Sequence, residues 1–509
     1  MSIRALPATA AVLSTALLLT TGSAALAASN TLTLTAVNRS GAKVAISATA
    51  VNLSTSSSYT LRAGKARKLP KGNYAVVVSI PTGSTTTLGG RTVKVSGTSK
   101  LTLDARSGRR INLGLNPAPA GLAARLDVQI CTRTSAPARI DASTWDRTAL
   151  YVIPSKSTKL AYGALGSWTD GSAETASYAV MHRTTGLPSA PAKTFRRTGL
   201  ATVQVTSRRG PNSANYLNQA VQPVKGGCGD HLWAPLGSTD RPASNKLYLS
   251  AGTWDLQADG SPTVTRKVAA GKAYSVRLNS AGWGPGTELP YTYQGRLEFP
   301  LDDMFADPSL SATSGSISDG RGTATLTYRG KVVKTRSNSG GSWPSLYYRP
   351  AKAGWYTLTN TATRYEAGVT FPAGMLSTSS RVTYRFPLNP KAKKNTLAPN
   401  YSVQIIPTGL DLYNKAKPGS TTTVALRLNR VVHYEDLTRG ANPKLKSLTA
   451  KISADGGKTW RAVPVRKIGG NWTAVVKNPA AGYVAVSVRA TYTSGGYSES
   501  TIYRTYRIG

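Results

Sequence analysis

The chain is short of acid. Against 63 lysines and arginines stand 22 aspartates and glutamates, and the formal net charge at pH 7 is +41. Charge of one sign in such excess cannot be neutralised internally, and its field attracts polyanions. Histidine is scarcer still, at three residues, and cysteine is limited to two. His182, His231 and His433 lie far apart in sequence, with no H-E-x-x-H pattern, so no metal site is expected from them. Two cysteines also exclude a disulfide-rich mini-scaffold. Long apolar runs are missing too. The stretch "AAVLSTALLLT" (10–20) is about half the length that crosses a bilayer. No long stretch keeps apolar residues at i, i+3, i+4 and i+7, and only "LDDMFADPSL" (301–310) suggests a short helix.

The N-terminal apolar stretch has a different meaning. It follows Arg4 and precedes Ala25-Leu26-Ala27, a small-x-small cleavage pattern. Residues 1–27 therefore read as a secretory signal peptide. The mature chain would start near Ala28 without a transmembrane segment, and no cysteine follows the cleavage site to carry a lipid. Export favours oxidation, so Cys131 and Cys228 are expected to form a disulfide.

What fills the chain is strand signal. "KVAISATAV" (43–51), "YAVVVSI" (74–80), "RTVKVSG" (91–97) and "YVAVSVRATYT" (483–493) alternate, or run apolar with β-branched residues. Gly, Pro, Ser and Asn clusters cut them at short intervals. The fold class is all-β: tandem β-sandwich modules, immunoglobulin- or fibronectin-like, after a cleaved signal peptide. A glycine followed within two residues by an aromatic opens a strand at Gly72, Gly252, Gly354 and Gly482. Each copy reads as a turn feeding a core strand, its aromatic capping one end of a sandwich as a tyrosine corner does. Linkers at "LNPAPAG" (115–121), "WGPGTELP" (283–290) and "PLNPKAKKNTLAPN" (387–400) then divide the chain. The expected units are a basic module 28–115, an enlarged domain or two subdomains at 122–283, a module 290–388 and a module 401–509.

Catalytic chemistry is hard to find. "SGTSK" (96–100) and "SNSGGSW" (337–343) imitate protease serine segments, but their partner segments are absent. No G-x-S-x-G elbow occurs. Asp302, Asp303 and Asp307 lie close in sequence without a calcium-loop pattern. No cofactor and no catalytic residue is expected. One motif stands out. Ser453, Asp455, Gly457 and Trp460 form S-x-D-x-G-x-x-W, the Asp box of sialidase propellers. A propeller would repeat it on several blades, whereas the full pattern occurs once. Its residue types suit a turn: Ser453 and Asp455 bond backbone groups, Gly457 takes the strained φ, and Trp460 is expected to pack, buried, beneath the hairpin.

Three segments carry a resemblance: "TALYVIPSKSTKLAY" (148–162), "STSSRVTYRFPL" (377–388) and the run from "LTAKISADGGKTW" to "TIYRTYRI" (448–508). They resemble the C-terminal accessory, immunoglobulin-like region of large secreted subtilisin-like peptidases of actinobacteria. The catalytic domain of those enzymes has no counterpart here. The resemblance implies an exported modular β protein and transfers no catalytic residue.

Function is then expected from charge. The segment 28–120 holds thirteen bases and one acid, Asp104. Lys65, Arg67, Lys68, Lys71, Arg109 and Arg110 flank turns there and are the candidate polyanion-binding residues. The expected partner is an anionic cell-wall polymer or acidic polysaccharide. Nucleic acid ranks lower, because no aromatic-studded binding motif accompanies the bases. The protein would be secreted and extracellular, held to the wall non-covalently. Alternative readings are a diverged secreted hydrolase, peptidase or glycosidase, and a structural accessory protein that docks a secreted partner.

Overall fold

The strand Gly72–Thr82 has five consecutive buried residues, Tyr74 to Val78. Side chains alternate across a strand, so such a run requires cover on both faces. The computed structural model supplies it. The model describes residues 30–145, 148–172, 175–210, 216–258, 263–308, 320–340, 344–365, 367–392, 394–434 and 436–509. The segment 1–27, expected to be a signal peptide, lies outside the described residues. Tyr74, Val76 and Val78 face a core with Leu32, Leu34 and Leu103. Ala75 and Val77 face a second core with Val128, Ile130 and Ala164.

The described residues form strands and turns, with two 3-10 segments, Ala105–Ser107 and Arg197–Gly199, and no α-helix. None of them forms a helix long and apolar enough to cross a membrane. The helix expected at 301–310 is absent over 301–308; residues 309 and 310 lie outside the description. Leu301, Met304 and Phe305 have helical spacing, but each packs into the core from an irregular loop. Ser380 Oγ fixes that loop by donating to the Met304 carbonyl at 2.6 Å.

The N-terminal half is a stack of sheets. A three-stranded sheet covers one face of a six-stranded sheet, a seven-stranded sheet covers the other, and a four-stranded sheet closes the far side. The seven-stranded sheet runs from the edge strand Arg139–Ser143, through Ala123–Thr132, to Ala273–Leu278 and lines two cores. The segment 122–283 is therefore built around one sheet with two buried faces. The strand Ala123–Thr132 carries Cys131, bonded to Cys228 across a sequence separation of 97.

The first module is not self-contained. The strand Ala149–Val152 inserts between Thr85–Val95 and Arg109–Arg110 in the six-stranded sheet. A fragment ending at 115 loses that strand and uncovers Ala75, Val77 and Leu88. An unpaired edge beside an apolar face promotes association. Residues 28–115 alone are expected to aggregate, whereas residues 28–280 stay monomeric; gel filtration of the two fragments checks this.

The C-terminal half shares one nine-stranded sheet. Ser379–Leu388, before the linker at 387–400, pairs antiparallel with Tyr497–Ile508 at the chain end. The stretches before and after that linker therefore share one sheet through the chain end, although the linker itself leads from that sheet into a four-stranded one at Ser402–Pro407. The linker at 283–290 is internal as well: Trp283 and Leu289 are buried, and Gly282 sits so close to the Ile405 carbonyl that a Cβ would come within 2.2 Å. The two halves meet at Asn414, which is buried with φ 60°. Its Nδ2 donates to the carbonyls of Arg209 and Asn279, and its Oδ1 accepts from Ala281 N and Arg208 Nη1.

The glycine–aromatic repeat acquires a shared geometry in three of its four copies. Two residues after the glycine, Tyr74, Trp254 and Tyr356 are each buried and donate to the carbonyl four residues back, at Pro70, Ser250 and Lys352, all at 2.8 Å. The tyrosine-corner bond thus recurs in three different cores, even where tryptophan replaces tyrosine. The Gly482 copy differs, with Val484 at that place and Tyr483 half-buried.

Candidate functional site

Sheet alternation decides what the nine-stranded sheet offers to solvent. Leu358, Val382, Ile502, Val488 and Ala450 point inward. Their neighbours point outward and are polar. Cross-strand register aligns Thr323, Thr361, Arg381, Thr501, Ser487 and Lys451 in one row. The next row is Thr325, Thr359, Thr383, Glu499, Arg489 and Thr449. Hydroxyls link across strands, with Thr359 Oγ1 to Thr383 Oγ1 at 3.2 Å and Ser487 Oγ to Thr501 Oγ1 at 2.9 Å. A cleft of about 400 Å³ lies on this face, walled by Trp460 and Tyr503 on one side and containing Tyr497.

The cations outnumber the acid here. Glu499 is 3.7 Å from Arg489. Arg489 lies over the Tyr497 ring at 3.8 Å, and Arg385 over Trp355 at 5.0 Å. Arg381 and Lys451 line the cleft and have no polar or ionic partner among the described residues. The surface therefore combines hydroxyl donors and acceptors, aromatic walls and two cations without partners. Those are the groups that hold a polyhydroxylated, negatively charged chain.

The Asp-box turn builds one wall. Ser453 Oγ accepts from Gly457 N at 2.8 Å and bonds Asp455 Oδ1 at 2.6 Å. Asp455 accepts from Thr459 N at 3.0 Å and from Thr459 Oγ1 at 2.5 Å. Hydrogen bonds from Ser453, then from Thr459, hold the Asp455 carboxyl well below the usual range. Gly457, at φ 95°, lies against Tyr503, where a Cβ would meet the ring at 2.5 Å. Trp460 differs from its expectation. It is half-buried, donates Nε1 to the Gly457 carbonyl at 3.0 Å, and meets Tyr503 edge-on at 6.3 Å. One side of the indole packs on the turn, and the ring borders the cleft instead of the core. Asp455→Ala is expected to loosen this turn, with faster hydrogen exchange at the Gly457 and Thr459 amides and a lower melting temperature for the last module. Native-state exchange followed by mass spectrometry checks it.

The six candidate bases of the first module do not form one patch. All are exposed. Arg67 and Lys68 lie on Ala66–Lys68, the edge strand of the three-stranded sheet beside Ser58–Arg62, with Lys65 and Lys71 next to them. Arg109 and Arg110 form the edge strand at the opposite end of the six-stranded sheet from Ser58–Arg62. The sandwich thus separates four bases from two.

A carboxylate cluster is the other unusual feature. Burial, with nearby Asp303 and Asp302, pushes Glu288 up to about 8. Burial raises Asp303 to about 6, against opposing backbone hydrogen bonds from Glu288 and Thr287. His433 places Nε2 3.1 Å from Thr287 Oγ1 and Nδ1 3.8 Å from Glu288, and burial lowers its pKa. Near neutral pH both partners of this contact are uncharged. The order hydroxyl, imidazole, carboxyl imitates a catalytic triad. Thr287 is only 5% exposed, however, and the imidazole–carboxyl distance exceeds a hydrogen bond. Asp303 accepts from Glu288 N and closes the 286–288 turn. Among the described residues no group of three or more His, Cys, Asp or Glu side chains is arranged to hold a metal.

These raised values set a pH dependence. The unfolded chain gives up the Glu288 proton near 4.5, the folded chain near 8. Stability from this group is complete below the unfolded value and is lost as pH rises through the folded one. Asp303 adds the same sign between 3.8 and about 6. The melting temperature of the C-terminal half is expected to fall between pH 5 and pH 8, and Glu288→Gln to flatten that fall. Calorimetry across this range checks it.

The outer face was not legible as a site from sequence. Its signal is the alternation T-x-T-x-T in "YTLTNTATR" (356–364), with polar outward positions in "RVTYR" (381–385) and "YSESTIY" (497–503). Only pairing of strands far apart in the chain turns these into one surface.

No family model matches the chain, and no curated protein does. Among solved structures, a Streptococcal ancillary pilin is similar at 11% identity and a TM-score of 0.13, over 49% of this chain and 98% of the pilin. The immunoglobulin domains 1–5 of Sidekick-1 are similar at 9% identity and a TM-score of 0.12, over 89% of this chain and 91% of theirs. Likeness at this level reaches no individual residue or site.

Proposed function

We propose that this is an exported, non-catalytic β-sandwich protein that binds acidic polysaccharide or another anionic polymer of the cell envelope or its surroundings. The outer face of the nine-stranded sheet is the binding surface in this reading. One observation carries it: among the described residues Arg381 and Lys451 stand without polar or ionic partners, in a cleft of hydroxyls walled by Trp460 and Tyr503. A sugar ring stacks on an aromatic wall, its hydroxyls bond Thr359, Thr383 and Thr501, and its carboxylate or phosphate meets the two cations. The remaining positive charge, +41 in the whole chain, speeds encounter with the polymer without selecting it.

The test is retention of the mature chain on purified cell wall and on immobilised polygalacturonate, with neutral cellulose as reference. Retention on an acidic matrix, declining as salt rises, supports the reading. Equal retention on cellulose, or none on either acidic matrix, overturns it.

A further inference from the structure

We infer that the cleft over the Cys131–Cys228 disulfide is a second, separate site that takes one compact anionic group, a phosphate or a carboxylate. Pairing of Cys131 with Arg139 sets the geometry. Strand alternation directs the Arg139 side chain to the same face of the seven-stranded sheet as Cys131. Arg133, one residue past the end of that strand, also lines the cleft, which holds about 770 Å³.

The charges divide into used and unused. Asp230 is the only acid in the lining. It is fully engaged, accepting from Arg183 Nη2 at 2.5 Å and from the amides of Gly226 and Gly227. Arg183 also donates to the Cys228 carbonyl at 2.9 Å. Arg139 has no partner among the described residues, and Arg133 reaches only the Thr158 carbonyl at 3.4 Å. Both side chains are exposed. Two guanidiniums thus lie in a cleft whose one carboxylate is already neutralised, with Thr185 and His231 beside them. Guanidinium recognises planar carboxylate and tetrahedral phosphate by paired hydrogen bonds, which surface lysines do not provide. The cleft also depends on the disulfide. Cys228 holds the 225–231 turn against the sheet, where Gly229 N donates to Gln129 Oε1 at 3.0 Å.

Calorimetric titration of the mature chain with inorganic phosphate and, separately, with glucuronate tests this. Saturable binding of one or both is expected. Phosphate alone marks a phosphate-bearing ligand, glucuronate alone a uronate. Arg133→Ser with Arg139→Ser should weaken binding by about tenfold or more. The Lys65→Ser and Lys68→Ser pair removes the same charge elsewhere and should leave affinity and melting temperature unchanged. Cys131→Ser with Cys228→Ser should abolish binding. No saturation by either probe, or equal weakening by the two charge-matched pairs, overturns the inference. Neither result bears on polymer binding at the outer sheet face.

Discussion

Replacing Cys131 and Cys228 together by serine is expected to remove about 4–5 kcal/mol from the N-terminal half, the value the chain-entropy model gives for a loop near 100 residues. The bond closes a sequence separation of 97. It also fixes groups that depend on one another in the folded state. Cys131 lies on the strand Ala123–Thr132, in the sheet that two cores share. Cys228 lies in the turn where Asp230 collects Arg183 and two backbone amides. Gly163, in the adjacent strand, sits so near the Cys228 carbonyl that a Cβ would come within 2.6 Å. Freeing the turn therefore loosens one face of the seven-stranded sheet, and the melting temperature of the N-terminal half should fall sharply. Denaturant unfolding of the double variant measures the loss. A change below about 1 kcal/mol would mean that packing alone holds the turn.

The second large effect concerns ligand. Trp460→Ala combined with Arg381→Ser and Lys451→Ser is expected to weaken acidic-polysaccharide binding by about tenfold to a hundredfold. Arg381 and Lys451 are exposed, and Trp460 is half-buried at the edge of the cleft, so the fold should tolerate the three changes. Trp460→Phe keeps an aromatic wall and should retain more affinity than Trp460→Ala. Salt should reduce what binding is left less steeply, because fewer protein cations engage the polymer.

The sequence made the strands legible where burial is one-sided or the apolar run is long. "YAVVVSI" lies inside Gly72–Thr82, and "YVAVSVRATYT" covers most of Gly482–Tyr492. The turn chemistry of Ser453, Asp455 and Gly457 was readable because it is local, each hydrogen bond spanning two to four residues. What distant pairing decides was not readable. Nothing near residue 149 announces that Ala149–Val152 joins the first module's sheet. Nothing in "PLNPKAKKNTLAPN" announces that the strands before it and at the chain end pair. Trp460 shows the same limit: the motif fixes its turn, whereas Tyr503, more than forty residues on, leaves its ring at the edge of the cleft. The six bases of the first module share a place beside turns, which is local, whereas the sandwich sets Arg109 and Arg110 apart from the other four.

The most direct measurement compares two charge-matched variants of residues 28–509 on the same acidic polysaccharide at one ionic strength. Arg381→Ser, Arg385→Ser and Lys451→Ser remove three cations from the outer sheet face. Lys65→Ser, Arg67→Ser and Lys68→Ser remove three from the edge of the first module. If the outer face is the site, the first variant loses about tenfold or more in affinity while the second stays within about twofold of the parent. Equal losses would show that the polymer responds to net charge alone, and would contradict a built site on the nine-stranded sheet.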